Sequence, residues 1–117
     1  MIKTYNGSKL GVTSSHKKAM LRNLASGLFL HEKAETTLAR AKELVRYSEK
    51  LLTRAKKSDL SAIRAVSSEV HKREIVKKVF DVLVPRYKAK KGGYTRIIKV
   101  GVRRGDNASV AIVRLVV

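Results

Sequence analysis

Four basic side chains recur at every fourth position near the middle of this sequence, at Lys42, Arg46, Lys50 and Arg54. Residues at i and i+4 are neighbours on one face of an α-helix, so a helix here would present them as a ladder of like charges. Each such pair weakens an isolated helix by about 0.2–0.5 kcal/mol. The ladder has two explanations that the helix alone does not separate: a ridge that binds nucleic-acid phosphates, or an ordinary solvated face.

A second concentration of basic residues lies in the segment Lys72–Arg104, which holds twelve Lys and Arg and only two acids, Glu74 and Asp81. Within it, several lysines precede the pair Gly92–Gly93. Glycine has no side chain, which exposes backbone N–H groups and lets a phosphate approach closely. The same pair can equally be a flexible connector between a helix and a strand.

The basic excess extends over the whole chain, because 27 Lys and Arg stand against 9 Asp and Glu in 117 residues, a formal net charge of +18. Such a charge repels itself in a compact protein, whereas a polyanion converts it into affinity through counterion release. We therefore predict a polyanionic partner and take nucleic acid as the starting hypothesis. The charge by itself does not separate RNA from DNA or from an anionic membrane.

Other chemistries find little support in the sequence. The three histidines, His16, His31 and His71, lack the spacing of metal ligands, and the acids are scattered among cations. The chain contains no cysteine and no glycine-rich nucleotide-binding motif. The tripeptide Arg-Gly-Asp at 104–106 also occurs in cell-adhesion proteins, but a Gly-Asp-Asn hairpin turn explains it better. We predict that the chain is not an enzyme and has no metal and no cofactor.

The elements that position the basic groups follow from apolar spacing and from cap and turn residues. Together they predict an α+β fold in a single domain, with the hairpin in a small mixed sheet. The chain is predicted to begin with an extended arm (1–13), followed by a helix from a cap at Ser14 or Ser15 to about His31 and a strand at Lys33–Thr37. Three more helices are predicted next: one at Leu38–Lys57, a third helix after Ser58 or Asp59 through Ile63, Val66 and Val70, and a fourth from about Lys72 to Pro85. The last predicted element is a hairpin of Tyr94–Val102 and Val110–Val116.

Aromatic residues are few, 5% of the chain with no Trp. We expect a core of Leu, Val, Ile and Ala with Phe29 and Phe80 as its only large rings. In the hairpin, alternation is expected to place Ile98, Val100 and Val102 on one face. Four tyrosines are too few for single-strand binding by base stacking, so folded, double-helical RNA is the better fit. The four that could stack on bases are Tyr5, Tyr47, Tyr87 and Tyr94.

No apolar run approaches the roughly 18–20 residues that a membrane span needs. The N-terminal residues also lack the apolar stretch of a secretory signal. From these two observations we expect a cytoplasmic protein.

Five segments resemble the L17 family of bacterial ribosomal large-subunit proteins. They extend through nearly the whole chain, in family order: SSHKKAMLRNLASGLFLHE (Ser14–Glu32), TTLARAKEL (Thr36–Leu44), EIVKKVF (Glu74–Phe80), PRY (Pro85–Tyr87) and GGYTRIIKVGVRRGDNASVA (Gly92–Ala111). The resemblance implies an α/β protein with an N-terminal arm and a C-terminal hairpin. It also implies a structural component that binds large-subunit (23S) ribosomal RNA, among neighbouring large-subunit proteins near the peptide exit.

The resemblance also implies which residues contact RNA. The arm departs from the usual strongly basic family pattern, since it has only Lys3 and Lys9, so we expect fewer or differently placed contacts there. The predicted contacts are Lys9 in the arm, Ser15, His16, Lys17, Lys18 and Arg22 in the first helix, Lys42 and Arg46 in the second, Arg86, Lys90, Lys91, Gly92, Gly93, Tyr94, Thr95 and Arg96 before and at the start of the hairpin, and Lys99, Arg103 and Arg104 within it.

Two other functions remain open at this point. An architectural protein of double-stranded DNA would explain the same charge, but it needs a recognition helix or an apolar wedge, and the hairpin tip at 105–107 has no wedge. An RNA-processing enzyme would need an acid–base pair, which the sequence does not reveal.

Overall fold

The computed structural model describes Leu10 and residues 12–117. The predicted arm lies largely outside the described residues, and so does Lys9. In the described part of the chain no helix has the length and apolar character that crossing a membrane requires.

The first helix, α1, covers Ser14–His31 and buries Leu21, Ala25, Leu28 and Phe29. Its cap is one residue earlier than predicted, because the Thr13 hydroxyl accepts a hydrogen bond from the backbone N–H of His16 at 3.4 Å. After α1 the chain reverses through Glu32, which has a left-handed φ of 63°. Strand β1 follows at Lys33–Thr37 and has the predicted bounds.

Helix α2, at Leu38–Ala55, begins directly after β1 and buries an apolar face that includes Leu44, Leu51 and Leu52. Helix α3 covers Leu60–Glu69 and is capped by Asp59, whose carboxylate accepts the N–H of Ala62 at 2.7 Å. Both helices confirm the prediction within a few residues. Ile63, however, was expected on the apolar stripe of α3 and is 41% exposed.

Pro85 does not end the last helical segment, contrary to the prediction. Helix α4, at Arg73–Lys78, continues without a break through a π-helical turn at Val79–Leu83 into α5, at Val84–Tyr87. In the wider turn, the N–H of Val84 bonds to the carbonyl of Val79, five residues back. Proline lacks an N–H and is tolerated in the first turn of a helix, so the shift to π bonding lets a new α turn begin around it. The continuation carries Tyr87 into the core.

Strands β2, at Thr95–Val102, and β3, at Ser109–Leu115, form the predicted hairpin. The sheet has the order β1-β3-β2, so the short strand after α1 pairs with the last strand of the chain. Both strand pairs are antiparallel, which corrects the expected mixed sheet. The buried residues of β3, Ala111, Val113 and Leu115, join α1 and α2 in one core.

A β-bulge between Lys99 and Gly101 changes which face of the sheet the following residues of β2 occupy. Before the bulge, Ile98 pairs with Ile112; after it, Val102 pairs with Ser109, whose side chain lies on the other face of the sheet. The expected single face of Ile98, Val100 and Val102 is therefore wrong. All three are exposed, from 39% at Ile98 to 65% at Val102.

The aromatic core also differs from the prediction. Tyr87 and Tyr94 are fully buried beside Phe29, whereas Phe80 is only partly buried. The Tyr87 and Tyr94 rings lie 5.2 Å apart between centroids at an angle of 45°. The Tyr87 hydroxyl donates to the carbonyl of Val116, which fastens the end of the chain to α5. Two tyrosines thus supply volume that the sequence analysis assigned to phenylalanine alone.

Candidate nucleic-acid interface

The four ladder residues of α2 lie on its exposed side and form a ridge, here called the α2 ridge (Lys42, Arg46, Lys50 and Arg54). Within the described residues, Lys42, Lys50 and Arg54 form no ion pair. No direct ion pair therefore offsets the repulsion among these three cations, although Glu43 and Glu49 lie on the same helix, and this is expected for a surface whose counter-charge comes from a partner.

Two surface depressions meet at Arg46. One lies between α2 and the start of β3 and is lined by Lys42, Arg46 and Ser109, with Glu43 at its wall. The other lies between α2 and the segment before β2 and is lined by Lys50, Arg54, Lys57, Lys91 and Gly92, among others. The ridge therefore borders two clefts with basic walls instead of projecting from a flat face.

The segment Lys88–Gly93, here called the glycine loop, supplies the opposite wall of the second cleft. Lys88, Lys90, Lys91 and both glycines are exposed, and Gly93 has a left-handed φ of 66°. Lys56 connects this loop to the end of α2, because its ammonium group donates to the carbonyl of Lys90. The exposed glycines thus occupy a loop that connects α5 to β2 and is tethered to the end of α2.

Tyr94 does not present its ring to a ligand. Its side chain is completely buried, and its hydroxyl accepts a hydrogen bond from Lys56 Nζ at 3.1 Å. Lys56 Nζ also lies 5.3 Å from the centre of the Tyr94 ring. Tyr94 contributes to the lining of the second cleft, but its buried ring cannot stack on a base. The predicted RNA contact of this ring is therefore wrong.

The side chains of the other two described tyrosines are also engaged inside the protein. Tyr87 is buried. Tyr47 donates its hydroxyl proton to the Glu69 carboxylate, and burial together with that carboxylate raises its pKa above the ordinary value. No described tyrosine is therefore free to stack on a base.

At the start of α1 the predicted contacts divide into two groups. Ser15, His16 and Lys18 are exposed. Lys17 forms an ion pair with Glu43 at 3.4 Å, and Arg22 forms one with Glu69 at 2.9 Å. The structure thus gives Lys17 and Arg22 a role in joining α1 to α2 and α3.

Glu69 is the centre of that second junction. It accepts hydrogen bonds from both Arg22 and Tyr47, and the Arg22 guanidinium is the main cause of the lowered pKa of this carboxyl. It therefore remains ionised inside the fold under ordinary conditions.

Two other acids, Glu32 and Glu49, also connect separate elements of the fold. Glu32 pairs with Arg86 and with Lys78, and the Arg86 guanidinium lowers the pKa of this carboxyl. Glu49 accepts hydrogen bonds from the backbone N–H and the hydroxyl of Thr95 at 3.3 and 3.0 Å. Arg86 and Thr95, both predicted RNA contacts, thus have internal partners. These carboxylates thus hold elements of the fold together, whereas Lys42, Lys50 and Arg54 of the α2 ridge form no ion pair within the described residues.

The tip of the hairpin has an internal ion pair of its own. Arg103 binds the Asp106 carboxylate at 2.5 Å, and Asp106 also accepts the backbone N–H of Ala108 at 3.1 Å. These contacts lower the pKa of Asp106 to about 2. Asp106 thus stabilises the turn, which confirms that interpretation of the Arg-Gly-Asp tripeptide, and Arg104 remains exposed beside it.

Within the hairpin strands, Arg96 and Lys99 are exposed and fall on opposite faces of the sheet. Lys99 is opposite Ala111, and Arg96 is opposite Arg114. The structure therefore does not gather the predicted contacts into one patch.

Three further cations, which are not among the predicted contacts, lie at these sites. Lys57 lines the second cleft. Lys50 and Arg54 complete the α2 ridge, and the four-residue spacing was sufficient to include them. Lys57 falls outside that spacing, so only the tertiary structure indicates it. In the described part of the chain there is also no group of His, Cys, Asp or Glu that could hold a metal ion.

Comparison with known proteins gives the family. A family model described as "Ribosomal protein L17" matches residues 20–116. The chain is 69% identical to "Large ribosomal subunit protein bL17" of Endomicrobium trichonymphae over 116 residues, which cover 99% of each chain. It is 52% identical to the protein of the same name from Halothermothrix orenii over 108 residues, 92% of this chain and 95% of the other.

The chain belongs to the ribosomal protein L17 family. The resemblance drawn from the five sequence segments is thereby confirmed. The α2 ridge, the glycine loop and the hairpin all lie within the span matched by the L17 family model, whereas Ser15, His16 and Lys18 precede it. In this L17-family chain the candidate interface is thus a set of separated basic surfaces around a core held by internal ion pairs.

Proposed function

We propose that this chain is a structural component of the large ribosomal subunit that binds folded 23S ribosomal RNA through the α2 ridge and the glycine loop. Membership of the L17 family supports the ribosomal role, since its relatives bear the name of a large-subunit protein. The observation that carries the RNA-binding part is the division of charge. Most of the acids are bonded within the fold, whereas Lys42, Lys50 and Arg54 form no ion pair in the described residues.

Binding depends on phosphates and shape. The ridge residues occupy successive turns of α2, about 6 Å apart along its axis, so they can follow a sugar-phosphate backbone. Each neutralised phosphate releases counterions, which gives affinity without reading the sequence. The buried ring of Tyr94 and the bonded hydroxyl of Tyr47 supply no stacking platform. Double-helical RNA, recognised by its backbone, suits such a surface better than an unstacked strand.

The tethered glycine loop adds backbone donors to the second cleft. Gly92 and Gly93 have open space where a Cβ would lie, so a phosphate oxygen can approach their N–H groups. Lys91 and Lys57 contribute charge at the same place. The loop therefore complements the ridge from the other side of the cleft.

We also propose where the protein works and which neighbours it has. It works in the cytoplasm, within the large subunit, beside neighbouring proteins near the peptide exit, and it catalyses no reaction. Its contribution to translation is to neutralise phosphates where RNA segments come together and so to stabilise their folded arrangement during assembly.

A charge-matched experiment tests this function. The ridge variant Lys42→Gln, Lys50→Gln, Arg54→Gln is compared with a control of equal charge, Arg64→Gln, Lys72→Gln, Lys77→Gln, whose residues are exposed on α3, before α4 and on α4. Binding to a 23S rRNA transcript is measured between 50 and 200 mM salt, together with co-sedimentation with large subunits. We expect the ridge variant to lose at least tenfold in affinity and its salt slope to fall by about 2–3, and the control to lose much less.

Three results would contradict the proposal. Equal losses in both variants would mean that net charge alone governs binding. Recovery of the wild-type chain only in ribosome-free fractions would contradict the ribosomal role. A strong preference for bent duplex DNA over the rRNA transcript would instead support the architectural DNA-binding function.

A further inference from the structure

Three cations lie side by side across the sheet, one on each strand. In the strand register, Lys33 of β1 is opposite Arg114 of β3, and Arg114 is opposite Arg96 of β2. Directly opposite residues point to the same face of a sheet, so the three side chains share one face. We call Lys33, Arg114 and Arg96 the outer row. All three are exposed.

The outer row lies on the face that the core does not use. The buried β3 residues Ala111, Val113 and Leu115 alternate with Arg114 and pack toward α1 and α2. Arg114 therefore projects on the opposite side of the sheet from α2. The α2 ridge and the outer row are thus separated by the sheet itself.

No acid in the described residues neutralises this row. None of Lys33, Arg114 and Arg96 forms an ion pair, although Glu35 lies two residues from Lys33 on the same strand. Like charges directly opposite each other destabilise an antiparallel pair. Here the central strand carries this cost with both of its neighbours, and no direct ion pair in the described residues offsets it, although Glu35 lies on the same face beside the row.

The geometry of the row suits a polyanionic strand. Neighbouring strands lie about 4.8 Å apart, so three positions extend over roughly 10 Å. Two of the three cations are arginines, whose planar guanidinium groups bind phosphate oxygens in pairs. The adjacent row on the same face is Glu35, Ile112 and Ile98, so its part next to Arg114 and Arg96 is apolar and the carboxylate is at the β1 edge. Ile98 is 39% exposed, and Val117 lies exposed nearby. A sugar-phosphate backbone, with charge on one edge and apolar ribose carbons on the other, matches this pattern.

We infer that the outer face of the sheet is a second binding surface for an RNA backbone, built on Lys33, Arg114 and Arg96. This inference rests on the proposed function and extends it. With the α2 ridge on the other side of the sheet, the protein binds two RNA segments at once and fixes their separation across its core.

The test uses the full chain and compares three triple variants on the same 23S rRNA transcript. These are the sheet variant Lys33→Gln, Arg96→Gln, Arg114→Gln, the ridge variant and the charge-matched control described above. We expect the sheet variant to lower the salt slope by about 2–3 and the affinity by at least tenfold, and the control to change the slope by less than about 1.

The failures of the two proposals are distinguishable. A wild-type slope for the sheet variant together with a reduced slope for the ridge variant would overturn the second surface and leave the proposed function intact. Wild-type slopes in both variants would overturn both. A sheet variant that binds naked rRNA normally but does not enter large subunits would assign the outer row to a protein partner, against the inference.

A second measurement does not depend on RNA. Replacing the central residue of the row, in Arg114→Gln, removes both like-charge pairs, so the melting temperature of the free protein is expected to rise by a few degrees at low salt and less at high salt. The matched substitution Arg64→Gln, on α3, is expected to leave it nearly unchanged. A fall in the melting temperature of Arg114→Gln would show that the arginine is needed for folding and would contradict the inference.

Discussion

Lys56 Nζ donates a hydrogen bond to the hydroxyl of Tyr94 at 3.1 Å, which joins the end of α2 to the residue that precedes β2. The two residues are 38 positions apart in the sequence. Through the same ammonium group, Lys56 also holds the carbonyl of Lys90. A single lysine thus fixes the glycine loop against the α2 ridge, and so sets the width of the cleft proposed to hold RNA.

Replacing this lysine tests its bridging role. Lys56→Met keeps much of the side-chain length and removes both hydrogen bonds. We expect it to lower the free energy of unfolding by about 1 kcal/mol and to weaken rRNA binding more than the loss of one charge explains. Lys77→Met is the matched control, since Lys77 is exposed on α4, does not line the cleft, and its side chain has no hydrogen bond in the described structure. Equal effects of the two substitutions in urea unfolding and in binding would contradict the bridge.

Substitutions at Tyr94 separate a core role from a base-stacking role. Because the side chain is fully buried, Tyr94→Ala is expected to cost about 3–5 kcal/mol of stability, as for other large core residues. Tyr94→Phe keeps the ring and removes the hydroxyl, so it should cost far less and bind rRNA almost normally. A folded, stable Tyr94→Ala protein with a selective loss of RNA affinity would instead support stacking. Thermal unfolding and filter binding of both variants decide between the two.

The Arg22–Glu69 junction makes stability depend on pH. Because Arg22 lowers the pKa of the Glu69 carboxyl below its ordinary 4.5, the ion pair contributes stability above about pH 4.5 and loses it as the pH falls through the lower folded-state value. Glu69→Gln is therefore expected to be less stable than the parent protein at neutral pH and to converge with it in acid. Urea midpoints from pH 7 to pH 3 give this comparison.

The control for that experiment is Glu35→Gln, at an exposed carboxylate without an ion pair in the described residues. It should run nearly parallel to the parent protein over the whole range. If the Glu69→Gln curve also runs parallel, the lowered pKa of Glu69 has no effect on folding, and the junction does not stabilise the protein.

The two adjacent glycines are expected to differ in their tolerance of a side chain. Gly93 has a φ of +66°, which costs a non-glycine residue about 1–2 kcal/mol, whereas no left-handed angle applies to Gly92. Neither position has a neighbour within 4 Å of an added Cβ, so crowding does not enter. Gly93→Ala should therefore destabilise the protein, and Gly92→Ala should not. Equal unfolding midpoints would contradict a fixed conformation of the loop.

Local patterns in the sequence determined a large part of this protein. Apolar spacing and caps were sufficient for α1, β1, α2 and the hairpin, because these depend on residues within a few positions of each other. The π turn before Pro85 was missed, since a proline in a helical pattern ordinarily marks its end. The charge alone indicated a polyanionic partner, and motif order identified the L17 family.

The tertiary structure decided which basic residues remain available and which surfaces they form. Nothing in the sequence distinguishes Arg22 and Arg86 from unpaired cations, yet each binds a carboxylate more than 40 residues away. The bulge in β2 reversed the expected face of Val102, and only the register of β3 with both neighbours brings Lys33, Arg114 and Arg96 together. Contacts between distant segments depend on how elements pack, and short-range periodicity carries no information about that packing.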